Sequence, residues 1–457
     1  MAVGKERNAA RPRRCWTVWR GLALACALAS ATPALARDID VRHYVARIDP
    51  DLKTRSLKGE VSIRFVATVD STDLIVLDRD GLDIDRVREG ERSLSFDQTG
   101  RVLKIRLSRP ALRGQLREVT VNYHGTPKFG LQFHPEKRQI YTLFSTAQWL
   151  VGIDAPDERA SLDLSVALPT GLKAVGNGYL VGRRSLGNGT ELHRWRQTVP
   201  MPAYTYGFAA GPFEEASDRG SRVRLRYLGA GYSQNELRRI FADSGDMLRY
   251  FERRAGVPYP GGVYTQALVA RTIGQEHAGF SLLSEEYGRG VLADRRDESL
   301  IAHEAAHQWW GNLITCREWT HFWLNEGFAN FLAASYMEQR FGRDEYLKQV
   351  EGWKRRYEKL KEAGKDKPLV FADWDKPSAD DRAVVYQKGA YVLHLLREEL
   401  GEAAFWNGLR EYTRAHRGTA VVSQDFQRSM ELASGRSLST FFATWVYPSA
   451  TATAPAR

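Results

Sequence analysis

The stretch "IAHEAAHQWWGN", Ile301–Asn312, decides how this chain is read. It carries His303 and His307 four residues apart, with Glu304 beside the first. On a helix, positions i and i+4 lie about 40° apart round the axis, so both imidazoles can meet one ion. Glu304 then projects from a neighbouring face and can reach a water on the metal without ligating it. This is the H-E-x-x-H arrangement. Taken alone, the five residues suit a polar patch on a helix as well as a zinc site. A catalytic zinc takes three protein ligands and keeps one position open, and two histidines with a carboxylate are one such set. "WLNEGFAN" (Trp323–Asn330) offers Glu326, nineteen residues after His307, in the first turn of the next helix. An acidic residue also favours a helix N-terminus for its own reasons.

Around these segments the pattern is helical. Periodicity predicts helices over Ser299–Asn312, Glu326–Phe341 and Asp380–Leu400, the last with Val384, Val385, Gly389, Val392, Leu395 and Leu396 along one side. Residues 38–212 read differently. "EVSIRF" (Glu60–Phe65), "RVLKIRL" (Arg101–Leu107) and "VTVNY" (Val119–Tyr123) alternate apolar and polar residues, which argues half-buried antiparallel strands. Strands first and helices later imply a β-rich N-terminal domain followed by an α+β domain. The expected division is 37–213 and 214–447, with a frayed tail over 448–457. A chain of 457 residues, 43% hydrophobic, is long enough for two cores.

The first 36 residues read as an export signal. A basic opening (Lys5 to Arg20) precedes apolar Gly21–Ala31, and Ala34-Leu35-Ala36 forms an A-x-A cleavage site. The expected location is periplasmic or secreted; Arg13-Arg14 hints at twin-arginine export, and lipoprotein cleavage before Cys26 is a second route. With Cys15 and Cys26 in that segment, only Cys316 remains, so no internal disulfide is expected. The segment holds six basic and one acidic residue, which reduces the formal charge from +11 to +6 in the remainder. That modest balance is no nucleic-acid footprint. No stretch of the mature region is apolar enough to span a membrane.

"HEAAHQWWGNLIT" (His303–Thr315) and "WTHFWLNEGFAN" (Trp319–Asn330) resemble zinc aminopeptidases of the aminopeptidase N and leukotriene A4 hydrolase family, the gluzincins. The match extends to Gln308, Trp309, Gly311, Asn312, Trp319, Trp323, Leu324, Asn325 and Gly327. The resemblance implies a thermolysin-like catalytic domain in which His303, His307 and Glu326 hold one zinc ion and Glu304 is general base and proton donor. "VVYQKGAYVL" (Val384–Leu393) resembles the family's Tyr-x-Lys-Gly segment and implies Tyr386 as the oxyanion-stabilising phenol; without the family, a core aromatic is the plainer reading. "TIGQEHAGFSLLSEE" (Thr272–Glu286) stands where the family has Gly-x-Met-Glu-Asn, which implies Glu276 as anchor for the substrate's ammonium and backbone contact near Gly274. Gln148, in "FSTAQW" (Phe144–Trp149), takes the place of a glutamine that helps hold the amine.

The motif departs from the family at Ile273, Gln275 and His277, which stand for glycine, methionine and asparagine. His277 is read either as a group near the metal or as a hydrogen-bonded histidine, and His321 as a neighbour of the ligand set or as packing. Larger family members continue into a helical domain that roofs the site. The chain ends at Arg457, so a more open cleft, or one covered by a homo-oligomeric partner, is expected. The leading reading is an aminopeptidase acting on peptides with a free N-terminus. A related endopeptidase or epoxide-type hydrolase competes with it, as does a non-catalytic scaffold.

Overall fold

The computed structural model describes residues 37–448 apart from 219–221, 372–373 and 375–376. The export signal over 1–36, Cys26 included, and the tail from 449 onward lie outside the described residues. An N-terminal β-sheet domain is followed by a largely helical domain. Strand Ile39–Asp51 lies inside an eight-stranded sheet, antiparallel to Ser56–Ala67 on one side and parallel to Arg159–Pro169 on the other. The alternation read in the sequence puts Val61, Ile63 and Phe65 into the core, together with Val119, Val121 and Tyr123 of the next strand. A three-stranded sheet contributes Ile75, Leu77, Leu103 and Ile105 to the same core.

A four-stranded sheet (Lys173–Gly176, Phe208–Gly211, Gln139–Thr142, Leu131–His134) joins the two halves. Its Tyr141, Val175 and Ala209 share a small core with Leu228, Ala267, Phe280 and Leu282 of the sheet that follows. That five-stranded sheet runs Glu214–Asp218, Arg224–Gly229, Val263–Val269, Phe280–Ser284, Gly274–Gln275 in spatial order. The two-residue strand Gly274–Gln275 is its edge, antiparallel to Phe280–Ser284. The expected ammonium-anchoring segment therefore sits where backbone groups can still accept a partner.

The helices differ from the periodic reading at their ends. The first is Ser299–Ala306, shorter than expected, and His307 is its C-cap. The second, Trp323–Phe341, places Glu326 in its first turn. The expected helix Asp380–Leu400 is divided. A short turn Ala379–Ala383 leads into a π-helical turn Val384–Lys388, and a helical run Gly389–His416 follows, broken at Gly401 where φ is +74°. A π turn carries an extra residue and commonly marks a functional site; hydrophobic periodicity does not reveal it. Among the described residues no helix is long and apolar enough to cross a membrane.

Two of these helical elements touch at glycines. A Cβ on Gly327 would lie 3.0 Å from Gly389 Cα, and one on Gly389 would lie 3.1 Å from Gly327 Cα. Neither backbone can yield without separating the helix of Glu326 from the turn of Tyr386. We expect Gly327→Ala to cost about 1–3 kcal/mol, as overpacked cores do. Gly352→Ala is the control: it is also in a helix, but with open space around it, and should be neutral or slightly stabilising. Calorimetric melting of both variants checks this.

Candidate active site

The first helix buries every side chain from Ile301 to Ala306, which places His303 and Glu304 in its last turn facing inward. The chain then doubles back: Gly311 N–H donates to Ile314 O and Asn312 N–H to His307 O. Gly311 takes φ +137°, and a Cβ there would stand 2.8 Å from His307 Nδ1. The reversal brings Trp310 O within 3.0 Å of that nitrogen. A ring whose Nδ1 donates to a carbonyl presents Nε2 as the free lone pair.

The second helix delivers the third group. Glu326 Oε2 lies 3.3 Å from Nε2 of both His303 and His307, and the two Nε2 atoms are 3.0 Å apart. All three side chains are buried, and Oε2 has no hydrogen-bond donor among the described residues. Burial would raise the Glu326 pKa, but the two imidazoles outweigh it and hold the carboxyl down to about 2. Burial would lower His307, but the Glu326 and Glu276 carboxylates overcome it and lift the ring to about 10. Both shifts show an environment that favours positive charge at one point, where three converging donors suit a divalent cation. Among the described residues this is the one group of three such side chains. His303, His307 and Glu326 thus fit zinc in a His-His-carboxylate set.

Glu304 is buried, and its Oε2 meets no partner among the described residues. Burial first, then Glu276 and Glu326, push its pKa well above the ordinary carboxylate range, with His307 opposing. A carboxyl so disposed takes up protons readily. Gly274 faces it so closely that any Cβ there would overlap Glu304 Oε1. Backbone contact with substrate is the role expected for Gly274; the structure adds that its lack of a Cβ makes room for the Glu304 carboxylate. Glu276 lies beyond that glycine, also buried, and burial followed by Glu326 raises it to about 7 against the pull of His307. Its Oε1 is unpartnered among the described residues. The Tyr386 ring lies nearly parallel to that of His303, at 10° with centroids 6.3 Å apart. Its backbone oxygen accepts from Asn330 Nδ2, one turn beyond Glu326 on the second helix.

Gln148 requires correction as a substrate-binding residue. Its Oε1 accepts from Phe129 and Gly130 N–H, and its Nε2 donates to Asp80 Oδ2. Both ends of the carboxamide are engaged within the β-domain. His277 does not join the metal group: its Nε2 faces Thr142 O at 3.1 Å, its ring stacks on Phe280, and burial lowers it to about 4. His321 pairs through Nδ1 with Ser423 Oγ. Several supporting residues carried no role in the sequence reading. Gln308 donates to His277 O and accepts from Gly279 N–H, and Asn312 Nδ2 donates to Glu276 O, so the metal helix and the anchor segment are stitched together. Asn325 and Tyr204 extend this network: Asn325 Nδ2 donates to Tyr204 Oη, which donates to Gly311 O. Gln308, Asn312 and Asn325 were visible as motif matches; Tyr204 and Asn330 lie in family-like stretches but were not singled out.

Comparison with known proteins agrees with this geometry. The model of the peptidase M1 N-terminal domain matches residues 41–205, and that of the peptidase family M1 domain matches 245–445. A leucine aminopeptidase 2 from Aspergillus fumigatus is 27% identical over 421 residues, which is 85% of this chain. The chain spans 66% of that relative's length. The crystal structure of an M1 zinc metallopeptidase from Deinococcus radiodurans superposes with a TM-score of 0.77 at 26% identity, covering 92% of this chain and 95% of that one. A mutant of a Deinococcus radiodurans M1 zinc metallopeptidase bound to a Tyr-Ser-Ala substrate superposes with a TM-score of 0.76 at 25% identity, covering 92% and 96%.

Two classes of variant should separate metal binding from chemistry. Glu326→Ala and His307→Ala remove donors and should leave far less than one zinc per chain by elemental analysis. Gly274→Ala should retain the zinc and still lose about 10²-fold in kcat, because it displaces Glu304. Loss of zinc in Gly274→Ala would contradict this division.

Proposed function

The chain belongs to peptidase family M1, and from that premise we propose that it is a zinc aminopeptidase that removes N-terminal residues from peptides. Glu276 carries the proposal: a buried carboxylate beside the metal group, with one oxygen unpartnered among the described residues, is a receptor for a substrate ammonium. A charge anchored there stops the peptide one residue from its end, which separates an exopeptidase from an endopeptidase. That a Deinococcus relative is bound to Tyr-Ser-Ala supports the same substrate class.

The residues then divide the work. Glu276 and the backbone of the Gly274–Gln275 edge strand orient the first residue of the peptide. His303, His307 and Glu326 would hold the zinc, which when bound would supply Lewis-acid polarisation of the scissile carbonyl and a lowered pKa for the attacking water. Glu304 takes a proton from that water on its carboxylate and returns it to the leaving amine; the forces that raise its pKa suit it to hold the proton between the two events. The Tyr386 phenol, beside His303, donates a hydrogen bond to the oxygen that gains charge. Gly311 and Trp310 O hold His307 in its ligating orientation throughout.

The first 36 residues support export to the periplasm or the exterior, with a mature chain beginning at Arg37. A homo-oligomer covering the cleft belongs to the same reading.

A panel of fluorogenic aminoacyl substrates, each free and N-acetylated, tests the activity. We expect hydrolysis of the free-amine series, loss with a chelator, and recovery with zinc. Glu276→Ala should reduce kcat/KM by about 10²-fold or more, as losing a partner of a buried charge does. Equal cleavage of blocked and free substrates would overturn the aminopeptidase reading.

A further inference from the structure

Gln275 belongs to the departure from the family's motif, and neither the zinc chemistry nor the ammonium anchor accounts for it. Its side chain is fully buried on the edge strand, immediately before Glu276. Its Oε1 accepts from Phe144 N–H at 2.9 Å, and its Nε2 donates to Glu276 Oε2 at 3.0 Å. We propose that Gln275 is the positioning residue of the ammonium anchor, holding one oxygen of Glu276 so that the other faces the substrate's amine. The proposal rests on the reading of Glu276 as that anchor.

Three observations bear on it. An amide can be turned end for end, and Phe144 removes that freedom. A backbone N–H requires an acceptor, so Oε1 must face Phe144 and the NH2 end must face Glu276. Phe144 is itself fixed: its ring lies parallel to that of Tyr204, and the next residue, Ser145, sits in a left-handed turn at φ +67°. The orientation of the carboxylate is therefore indexed to the β-domain rather than to the edge strand alone.

The second observation concerns charge. Gln275 is a neutral donor. A lysine or arginine at 3.0 Å would orient the carboxylate equally well but cancel the charge the ammonium needs. The amide fixes geometry and leaves the charge in place. The third is completeness. Glu276 O is taken by Asn312 Nδ2 and Glu276 Oε2 by Gln275, while Oε1 has no partner among the described residues. Backbone and one oxygen are both tied, and the remaining lone pairs belong to the incoming group.

Binding of L-leucine hydroxamate and of its N-acetyl derivative to the zinc-loaded full chain tests the proposal by calorimetry. Both compounds reach the metal, but only the first carries an ammonium, so the ratio of their Kd values reports the anchor. Gln275→Met conserves length and volume but lacks the carboxamide. We expect it to weaken the free-amine compound by about tenfold, within the range of a lost hydrogen bond to a charged group, and to leave the acetylated one unchanged. In kinetics the loss should fall mainly on KM for free-amine substrates. In a Glu276→Gln background, Gln275→Met should have no further effect, because the two act as one unit. Gln275→Leu carries the same test if Gln275→Met does not fold. A parallel loss for both compounds would mean general damage to the site and would overturn the proposal, as would an unchanged ratio in Gln275→Met. If Glu276→Gln abolishes discrimination while Gln275→Met does not, only this inference falls. If the unaltered chain does not discriminate, the reading of Glu276 falls with it.

Discussion

The structure turns on one buried carboxylate. Glu326 is enclosed in protein, where an isolated charge costs several kcal/mol, and it is stable as a carboxylate only because two imidazoles meet its Oε2 at 3.3 Å. Everything needed to bring those three side chains together is a constraint on the fold. The first helix must end at His307 for the chain to turn back, and Gly311 provides the turn. The second helix must start near Trp323 so that its first turn faces the first helix. The Gly327–Gly389 contact then brings the turn carrying Tyr386 against the same helix.

A second set of bonds places the substrate side relative to the metal side. Gln308 and Asn312 follow the metal helix, yet their side chains serve the backbone of residues 276–279. Asn325, one residue before Glu326, reaches the turn at Gly311 through Tyr204. The edge strand, both helices and the β-domain therefore meet in one polar network. Within it an unpaired partner would be expensive, so the relative positions are tightly held. Family membership accounts for which elements meet; these bonds account for how closely.

Legibility followed the range of the signal. The pairing of His303 with His307 needs only one helical turn, so spacing alone placed them on one face. Glu326 depends on how two helices pack, and a family resemblance carried it where periodicity did not. Periodicity predicts a helix through to Asn312, whereas backbone bonds close a turn there and the side chains of Gln308 and Asn312 bind another segment. Gln148 stood in the right segment, but sequence position says nothing about where an amide points, and three backbone and side-chain groups of the β-domain claim it. The π-helical turn that presents Tyr386 has no periodic signature at all. Gln275 was legible as a departure and not as a device, since its meaning depends on Phe144, which lies 131 residues away.

The site shows how one functional group is given three tasks by its surroundings. Glu326, Glu304 and Glu276 are all buried glutamates. Imidazoles hold Glu326 far down, which makes it a ligand that stays ionised. Burial and two like charges push Glu304 far up, which suits it to the proton transfer proposed for it. Glu276 lies between, raised to about 7, and its assigned partner is a cation that arrives with the substrate. Pushing apart the pKa values of chemically identical groups is how a site assigns acid, base and anchor. The same logic explains why the donor on Glu276 is an amide. A permanent cation would shift Glu276 toward the behaviour of Glu326 and end the free-amine discrimination proposed for it. A side chain without a donor would leave Glu276 Oε2 without the bond it receives here. The carboxamide of Gln275 avoids both, at the cost of burying a polar group whose two ends must each find a partner, which Phe144 and Glu276 provide.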